Sequence, residues 1–178
     1  MNIRNHFPTE ELQKRDAAHH LHPFSSQNDV AKKGAKIITS AQGVYVYDSN
    51  GEQLLDAMAG LWCVNIGYGR EELAQAAERQ MRELPYYNTF FQTTHIPAID
   101  LSEKLAELAP GDLNHIFYAG SGSEANDTNI RIVRQYWAAI GHDEKNIIIS
   151  RKNAYPGSTL GGASLGGMNA MHQQGGLP

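Results

Sequence analysis

The chain has 178 residues, 41% hydrophobic and 19% charged, enough for one domain with a sizeable core. Its formal net charge of -4, with no run of like charges, gives no footprint for a polyanionic partner such as nucleic acid. The single cysteine, Cys63, excludes an internal disulfide framework and fits a reducing compartment. The opening residues, MNIRNHFPTEELQKRD, are polar and acid-containing, unlike a secretory signal. No apolar stretch approaches the ~20 residues that cross a membrane, so the chain reads as cytoplasmic.

Residues 1–40 show no sustained periodicity. His19, His20 and His22 invite a metal reading, but no further ligand is paired with them at a defined spacing, so a loop in which Phe24 packs is expected, with no metal. Gly43–Asp56 reads as a hairpin: Val44–Tyr47 are strand formers, Asp48–Gly51 carry an Asn-Gly turn, and Gln53–Leu55 return. Trp62 follows in a glycine-punctuated stretch, as a pocket wall or, on the residues alone, preferably a buried core tryptophan. Glu71–Leu84 is expected to be a helix, with Leu73, Ala77, Met81 and Leu84 on one face and Pro85 stopping it. Tyr86, Tyr87, Phe90 and Phe91 form an aromatic loop, read as core, pocket wall or subunit contact, the last two favoured. A second helix is expected with Thr94 as its cap, Pro97 in its first turn, an apolar face of Leu101, Leu105 and Leu108, and Pro110-Gly111 ending it.

Asn114–Trp137 organises the rest. Ile116–Tyr118 reads as a buried strand, Ala119–Ser123 as a turn of small residues, and the following segment as a helix with Ala125, Val133, Tyr136, Trp137 and Ile140 on one side and Gly141 as its C-terminal cap. The first N–H groups of a helix lack internal partners and carry partial positive charge, and glycine lets an anion approach the backbone. The turn therefore predicts a phosphate cup, with Ser121 and Ser123 adding hydroxyl donors; the alternative is a turn whose serine only caps the helix. Ile147–Ile149 reads as a second strand buried on both faces, completing a right-handed β-α-β unit and placing Tyr155 just past its carboxyl end, toward the same crevice.

Gly120-x-Gly122-x-x-Ala125 also fits the dinucleotide fingerprint. Against it, no acidic residue ends the next strand; Ser150-Arg151 stands there, which leaves NADP open. The P-loop pattern is absent. Seven glycines from Gly157 to Gly176 lead to an end without a closing element, and two parallel strands cannot cover both sheet faces, so the chain is expected to be the N-terminal part of a longer protein.

Five stretches, in order, carry a resemblance: Asp16–Phe24 (DAAHHLHPF), Gly43–Leu73, Asn88–His95 (NTFFQTTH), Gly120–Thr128 (GSGSEANDT) and Gly157–Met168 (GSTLGGASLGGM). Together they resemble the N-terminal part of class III aminotransferases, nearest to the omega-amine:pyruvate transaminases, including those acting on putrescine and other diamines. The resemblance implies an α/β protein of fold type I using pyridoxal phosphate. Residues 1–60 would belong to the small domain and interface, and residues 61–178 would begin the cofactor-binding large domain with an incomplete, parallel-type sheet. It implies that Ser121, Gly122 and Ser123 hold the cofactor phosphate and that Tyr155 stacks on its ring. It implies that Phe24 and Trp62 shape the substrate pocket, against the core reading of Trp62, and that Phe90 and Phe91 reach the other subunit's site in a homodimer. The reaction implied moves an amino group from a primary amine or diamine to a keto acid such as pyruvate.

The Schiff-base lysine, and the aspartate that pairs with the pyridine nitrogen, would lie beyond residue 178; Lys145 and Lys152 do not match the lysine's motif. No catalytic residue is therefore assigned, and the 178 residues alone are expected to be inactive. Two alternatives stand beside this reading: an NADP-dependent oxidoreductase domain and a non-catalytic truncated product. One position departs from the family pattern. Pro156 stands where the family usually has histidine, and proline biases Tyr155 toward extended backbone. Pro156→His is expected to tighten cofactor binding; an unchanged dissociation constant would refute this.

Overall fold

The computed structural model describes residues 8–174. The first seven residues, part of the opening read for a secretory signal, and Gly175 and Gly176 lie outside the described residues. Two compact units follow one another, Met1–Tyr87 and Asn88–Pro178.

The first unit is built on an antiparallel sheet of three strands in the order β1 (Ile38–Gln42), β2 (Tyr45–Asp48), β3 (Gln53–Leu55). The expected hairpin is β2–β3, in register Tyr45↔Leu55, Val46↔Leu54 and Tyr47↔Gln53. Its turn is made by Asp48, whose Oδ1 accepts from the N–H groups of Asn50 and Glu52, both at 2.9 Å. Gly51 takes φ 82°, the left-handed conformation that glycine adopts without a Cβ penalty. Asp48 and Ser49 are buried. The Glu52 and Asn50 N–H groups, with the Lys36 ammonium, hold the Asp48 carboxyl below the usual carboxylate range.

Four elements of this unit were not expected: β1, α1 (Thr9–His19), α2 (Gln27–Lys33) and the short α3 (Ala59–Trp62). The sequences of α1 and α2, TEELQKRDAAH and QNDVAKK, are mostly polar, so neither carries the apolar stripe by which sequence reveals a helix. They are held by polar ties instead. The Thr9 hydroxyl donates to Ser49 Oγ at 2.8 Å, and Gln13 Nε2 donates to the Ala35 carbonyl at 2.8 Å. Ser26 caps α2 by accepting from the Asp29 N–H. Farther on come α3 (Ala59–Trp62), a single turn, and α4 (Glu71–Glu83), the helix expected before Pro85.

The second unit contains α5 (Ile96–Leu108), α6 (Gly122–Ala139), α7 (Leu160–Leu165) and α8 (Asn169–His172). Pro97 lies in the first turn of α5 as expected, but His95 is the N-cap, in place of Thr94, and makes no side-chain cap bond. α6 ends at Ile140, and Gly141, at φ 83°, returns its N–H to the Ala138 carbonyl at 3.0 Å. The α6–α7 contact is close. Thr159, the N-cap of α7, donates to Asp127 Oδ1 at 2.9 Å, and a Cβ on Gly161 would meet that same oxygen.

The β-α-β unit is the main correction. Among the described residues, Ile116–Tyr118 and Ile147–Ile149 pair with no strand, and Ile147 and Ile149 are 85% and 93% exposed. A β-branched run becomes a buried parallel strand only when neighbours take its N–H and C=O groups and helices cover both faces. The sizeable core is corrected for the same reason. The buried apolar residues among those described are Ala163 and Met171, while Leu73, Met81, Leu101, Leu105, Val133 and Tyr136 remain exposed. The amphipathic stripes exist, but no opposing layer of the described chain covers them.

Candidate active site

The turn at the start of α6 forms without its strand. Ser121 is the N-cap of α6, in extended backbone, and its Oγ accepts from the Glu124 N–H at 3.2 Å. Glu124 reaches back, its Oε2 accepting from the Gly120 N–H at 2.7 Å. This is a variant of the capping box in which Glu124 takes the N–H of Gly120, just before the N-cap, and the Ser-x-x-Glu spacing that announces it was legible in the sequence. Between the two bonds, the Gly122 and Ser123 N–H groups have no hydrogen-bond partner among the described residues. No atom lies within 4 Å of a Cβ placed on Gly122. Two free donors at the positive end of an 18-residue helix, with open space beside them, fit a phosphate dianion. Capping occupies only a lone pair of Ser121 Oγ, so its hydroxyl can still donate.

The loop carrying Tyr155 is fastened against this helix end. Ser123 Oγ accepts from the Ser158 N–H at 3.0 Å, and Asn126 Nδ2 donates to the Pro156 carbonyl at 2.5 Å. Gly157, at φ 143°, lies so close that a Cβ there would meet Ser123 Cα at 2.8 Å. Behind Tyr155, the Asn153 N–H donates to the Gly167 carbonyl and the Gly167 N–H to the Ala154 carbonyl, each at 3.0 Å. The loop just after Tyr155 is thus tied to the first turns of α6 by side-chain and backbone contacts, where strand ends were expected to aim the residue. The ring is about half exposed. Ser121, Gly122, Ser123 and Tyr155 form one constellation on this unit, and its residues fit the phosphate and ring of pyridoxal phosphate. Asn126 and Ser158, which tie it together, were missed because each acts across more than 29 positions.

The four candidate pocket aromatics lie elsewhere in the chain, and three share one backbone property. Phe24 (φ 51°), Trp62 (φ 66°) and Phe91 (φ 55°) are all left-handed, where bulky residues are strained. Trp62 closes α3, which winds left-handed: Ala59, Gly60 and Leu61 have φ of 48°, 60° and 66°. At 80% exposure, Trp62 is not a core residue of its unit, which corrects the reading made from residues alone. The turn is held by Asp56, whose carboxylate accepts from the Gly60 N–H at 2.7 Å, the Met58 N–H at 3.3 Å and the Tyr68 hydroxyl at 2.6 Å. The Tyr68 bond, then the backbone N–H groups, keep the Asp56 carboxyl below its usual range, and Asp56 in turn raises Tyr68 above the ordinary phenol value. Phe90 and Phe91 sit on a turn in which Asn88 Oδ1 accepts from the Phe90 N–H at 2.9 Å and the Thr93 hydroxyl donates to the Phe90 carbonyl at 2.6 Å. Phe91 points away from its unit at 93% exposure, while Phe90 lines a groove with Thr93, Ile99, Ser102 and Tyr118.

The mixed helix-and-sheet chain has the fold of a fold type I pyridoxal-phosphate-dependent transferase. The chain belongs to the class III aminotransferases, whose family model matches residues 27–177. That family is pyridoxal-phosphate-dependent, and the match overturns the dinucleotide-binding alternative. The chain is 58% identical over 170 residues to a putrescine–pyruvate aminotransferase of Pseudomonas aeruginosa, covering 96% of this chain and 37% of that protein. An (S)-enantioselective omega-transaminase from Thermomicrobium roseum superposes with a TM-score of 0.91 at 40% identity, covering 97% of this chain and 38% of that one. The omega-transaminase of Pseudomonas jessenii in complex with PMP also superposes with a TM-score of 0.91 at 40% identity, covering 94% and 37%. The chain thus spans a little over a third of the length of these relatives. Among the described residues, no helix is long and apolar enough to cross a membrane.

Proposed function

We propose that the protein carrying this chain is a cytoplasmic, homodimeric transaminase that moves an amino group from a primary amine or diamine to a keto acid such as pyruvate. The observation that carries the proposal is the pair of unpartnered N–H groups at Gly122 and Ser123, with the Tyr155 loop fastened beside them. The 58% identity to a putrescine–pyruvate aminotransferase supports the substrate class. In this reading residues 1–60 serve the small domain and interface, and residues 61–178 begin the cofactor domain.

Each residue has a defined task. The Gly122 and Ser123 N–H groups and the Ser121 and Ser123 hydroxyls bind the cofactor phosphate and fix its register. The Tyr155 ring covers one face of the cofactor ring and excludes water from it. Trp62 and Phe24 bound the space for the amine's carbon chain. Phe90 and Phe91 close the corresponding pocket of the partner subunit. When bound, pyridoxal phosphate supplies the electron sink that stabilises negative charge at the substrate carbon.

The test supplies the purified native gene product with pyridoxal phosphate, putrescine and pyruvate and measures alanine. Putrescine-dependent alanine formation is expected from the native product and none from the 178-residue chain alone. Native product that binds the cofactor but transfers no amino group from any primary amine would overturn the activity. Turnover by the isolated chain would overturn the assignment of the missing chemistry to residues outside it.

A further inference from the structure

The histidine-rich segment does have a further ligand at close range, and it comes from α1. Asp16 lies in the last turn of that helix, and the chain leaves the helix at His20, which is extended at φ -113° and ψ 121°. Extended backbone turns alternate residues to the same side, so His20 and His22 both return toward Asp16. Their rings lie 4.3 Å apart, centre to centre. Asp16 Oδ1 is 3.0 Å from His20 Nδ1, and Asp16 Oδ2 is 2.7 Å from His22 Nε2. One ligand atom from each of the three residues lies within 4.8 Å of the other two. His19, which sequence reading grouped with them, is not part of this cluster.

We propose that Asp16, His20 and His22 bind a divalent transition-metal ion of the zinc class. Two imidazole nitrogens and one carboxylate oxygen are the donors that zinc, nickel and copper prefer, whereas magnesium and calcium require oxygen cages. Tetrahedral zinc with bonds of ~2.0–2.1 Å sets its ligand atoms about 3.4 Å apart, so the present spacing needs only small side-chain movements. The Asp16 and His22 side chains are 17% and 21% exposed and His20 61%, which leaves a lip for the ion to enter and for water to complete its coordination. The ion takes the place of the two hydrogen-bonded protons and ties the end of α1 to the loop. That loop is already anchored where Gln27 Nε2 donates to the His22 carbonyl at 2.8 Å, and it carries the left-handed Phe24 two residues on. The ion is thus a clamp on the segment that presents Phe24.

The test titrates zinc into chelator-stripped native protein by calorimetry and records the visible spectrum after cobalt substitution. One saturable equivalent is expected, with cobalt d–d bands of nitrogen and oxygen ligation. Asp16→Asn, His20→Gln and His22→Gln should each weaken zinc binding about tenfold or more. His19→Gln should leave it unchanged, and circular dichroism should show all four variants folded. No saturable equivalent in the native protein would overturn the site and leave the cluster as paired hydrogen bonds. Zinc binding that survives His20→Gln and His22→Gln together, or falls as much with His19→Gln, would overturn the assignment of ligands.

Discussion

Gly157→Ala is expected to lower stability by about 2–5 kcal/mol and to weaken pyridoxal phosphate binding at least tenfold. The new methyl group would meet Ser123 Oγ at 2.5 Å and Ser123 Cα and Cβ at 2.8 Å. Two of these are anchored in the first turn of α6, so no flexible side chain can yield, and overpacking of this kind costs about 1–3 kcal/mol. A φ of 143° adds backbone strain of about 1–2 kcal/mol for any residue with a Cβ. Relief requires the loop to lift. That breaks the bond from the Ser158 N–H to Ser123 Oγ and moves Tyr155 off the cup. Thermal unfolding and fluorescence titration of the cofactor, run on the same preparation, read both effects. Unchanged midpoint and affinity would mean that the loop does not rest on the helix end.

Asp56→Ala is expected to release the left-handed turn and to reduce transamination at least tenfold. Left-handed backbone disfavours each residue with a Cβ by roughly 1–2 kcal/mol, and Ala59, Leu61 and Trp62 all adopt it. The turn persists because its N–H groups converge on one carboxylate that Tyr68 also holds. In the native protein, the 19F resonance of 5-fluorotryptophan at position 62, assigned by its loss in Trp62→Phe, reports the turn directly. Asp56 is depressed in the folded state, so its contribution is complete above the ordinary carboxylate value and disappears as pH falls through the lower folded value. Tyr68 is raised, so its contribution is complete below the ordinary phenol value and disappears as pH rises through the higher folded value. The signal should therefore stay flat across neutral pH and change only at the acid and alkaline extremes, and Asp56→Ala should remove both changes. An unaltered profile in that variant, with activity intact, would show that Asp56 does not hold the turn.

Gly60 belongs to the same device. A Cβ there would meet Val64 Cγ2 at 2.8 Å and the Tyr68 hydroxyl at 3.0 Å, so the one glycine in the turn also allows the close approach that brings Tyr68 to Asp56. Strain of this kind, at Trp62 as at Phe24 and Phe91, persists only where surrounding bonds over-determine it. All three were nominated for the substrate pocket by resemblance. The backbone supplies a separate physical reason to treat them as special, invisible in the sequence because none is a glycine or an asparagine.

What the sequence by itself determined is what depends on neighbours a few residues away. The Asn50-Gly51 turn and its hairpin, the helices at Glu71–Glu83, Ile96–Leu108 and Gly122–Ala139, and the donors at Gly122 and Ser123 all follow from local periodicity, capping and the freedom of glycine. The family was legible too, because its short stretches occur in a fixed order. Only the tertiary structure decided the rest. It set Gly157 against Ser123, gathered Asp16 with His20 and His22, and wound Ala59–Trp62 left-handed around Asp56. It also left Ile116–Tyr118 and Ile147–Ile149 without strand partners, although their composition reads as buried strand. A hydrogen bond or a sheet pairing needs two groups that the chain must bring together. Composition at one position carries no information about whether the other is there.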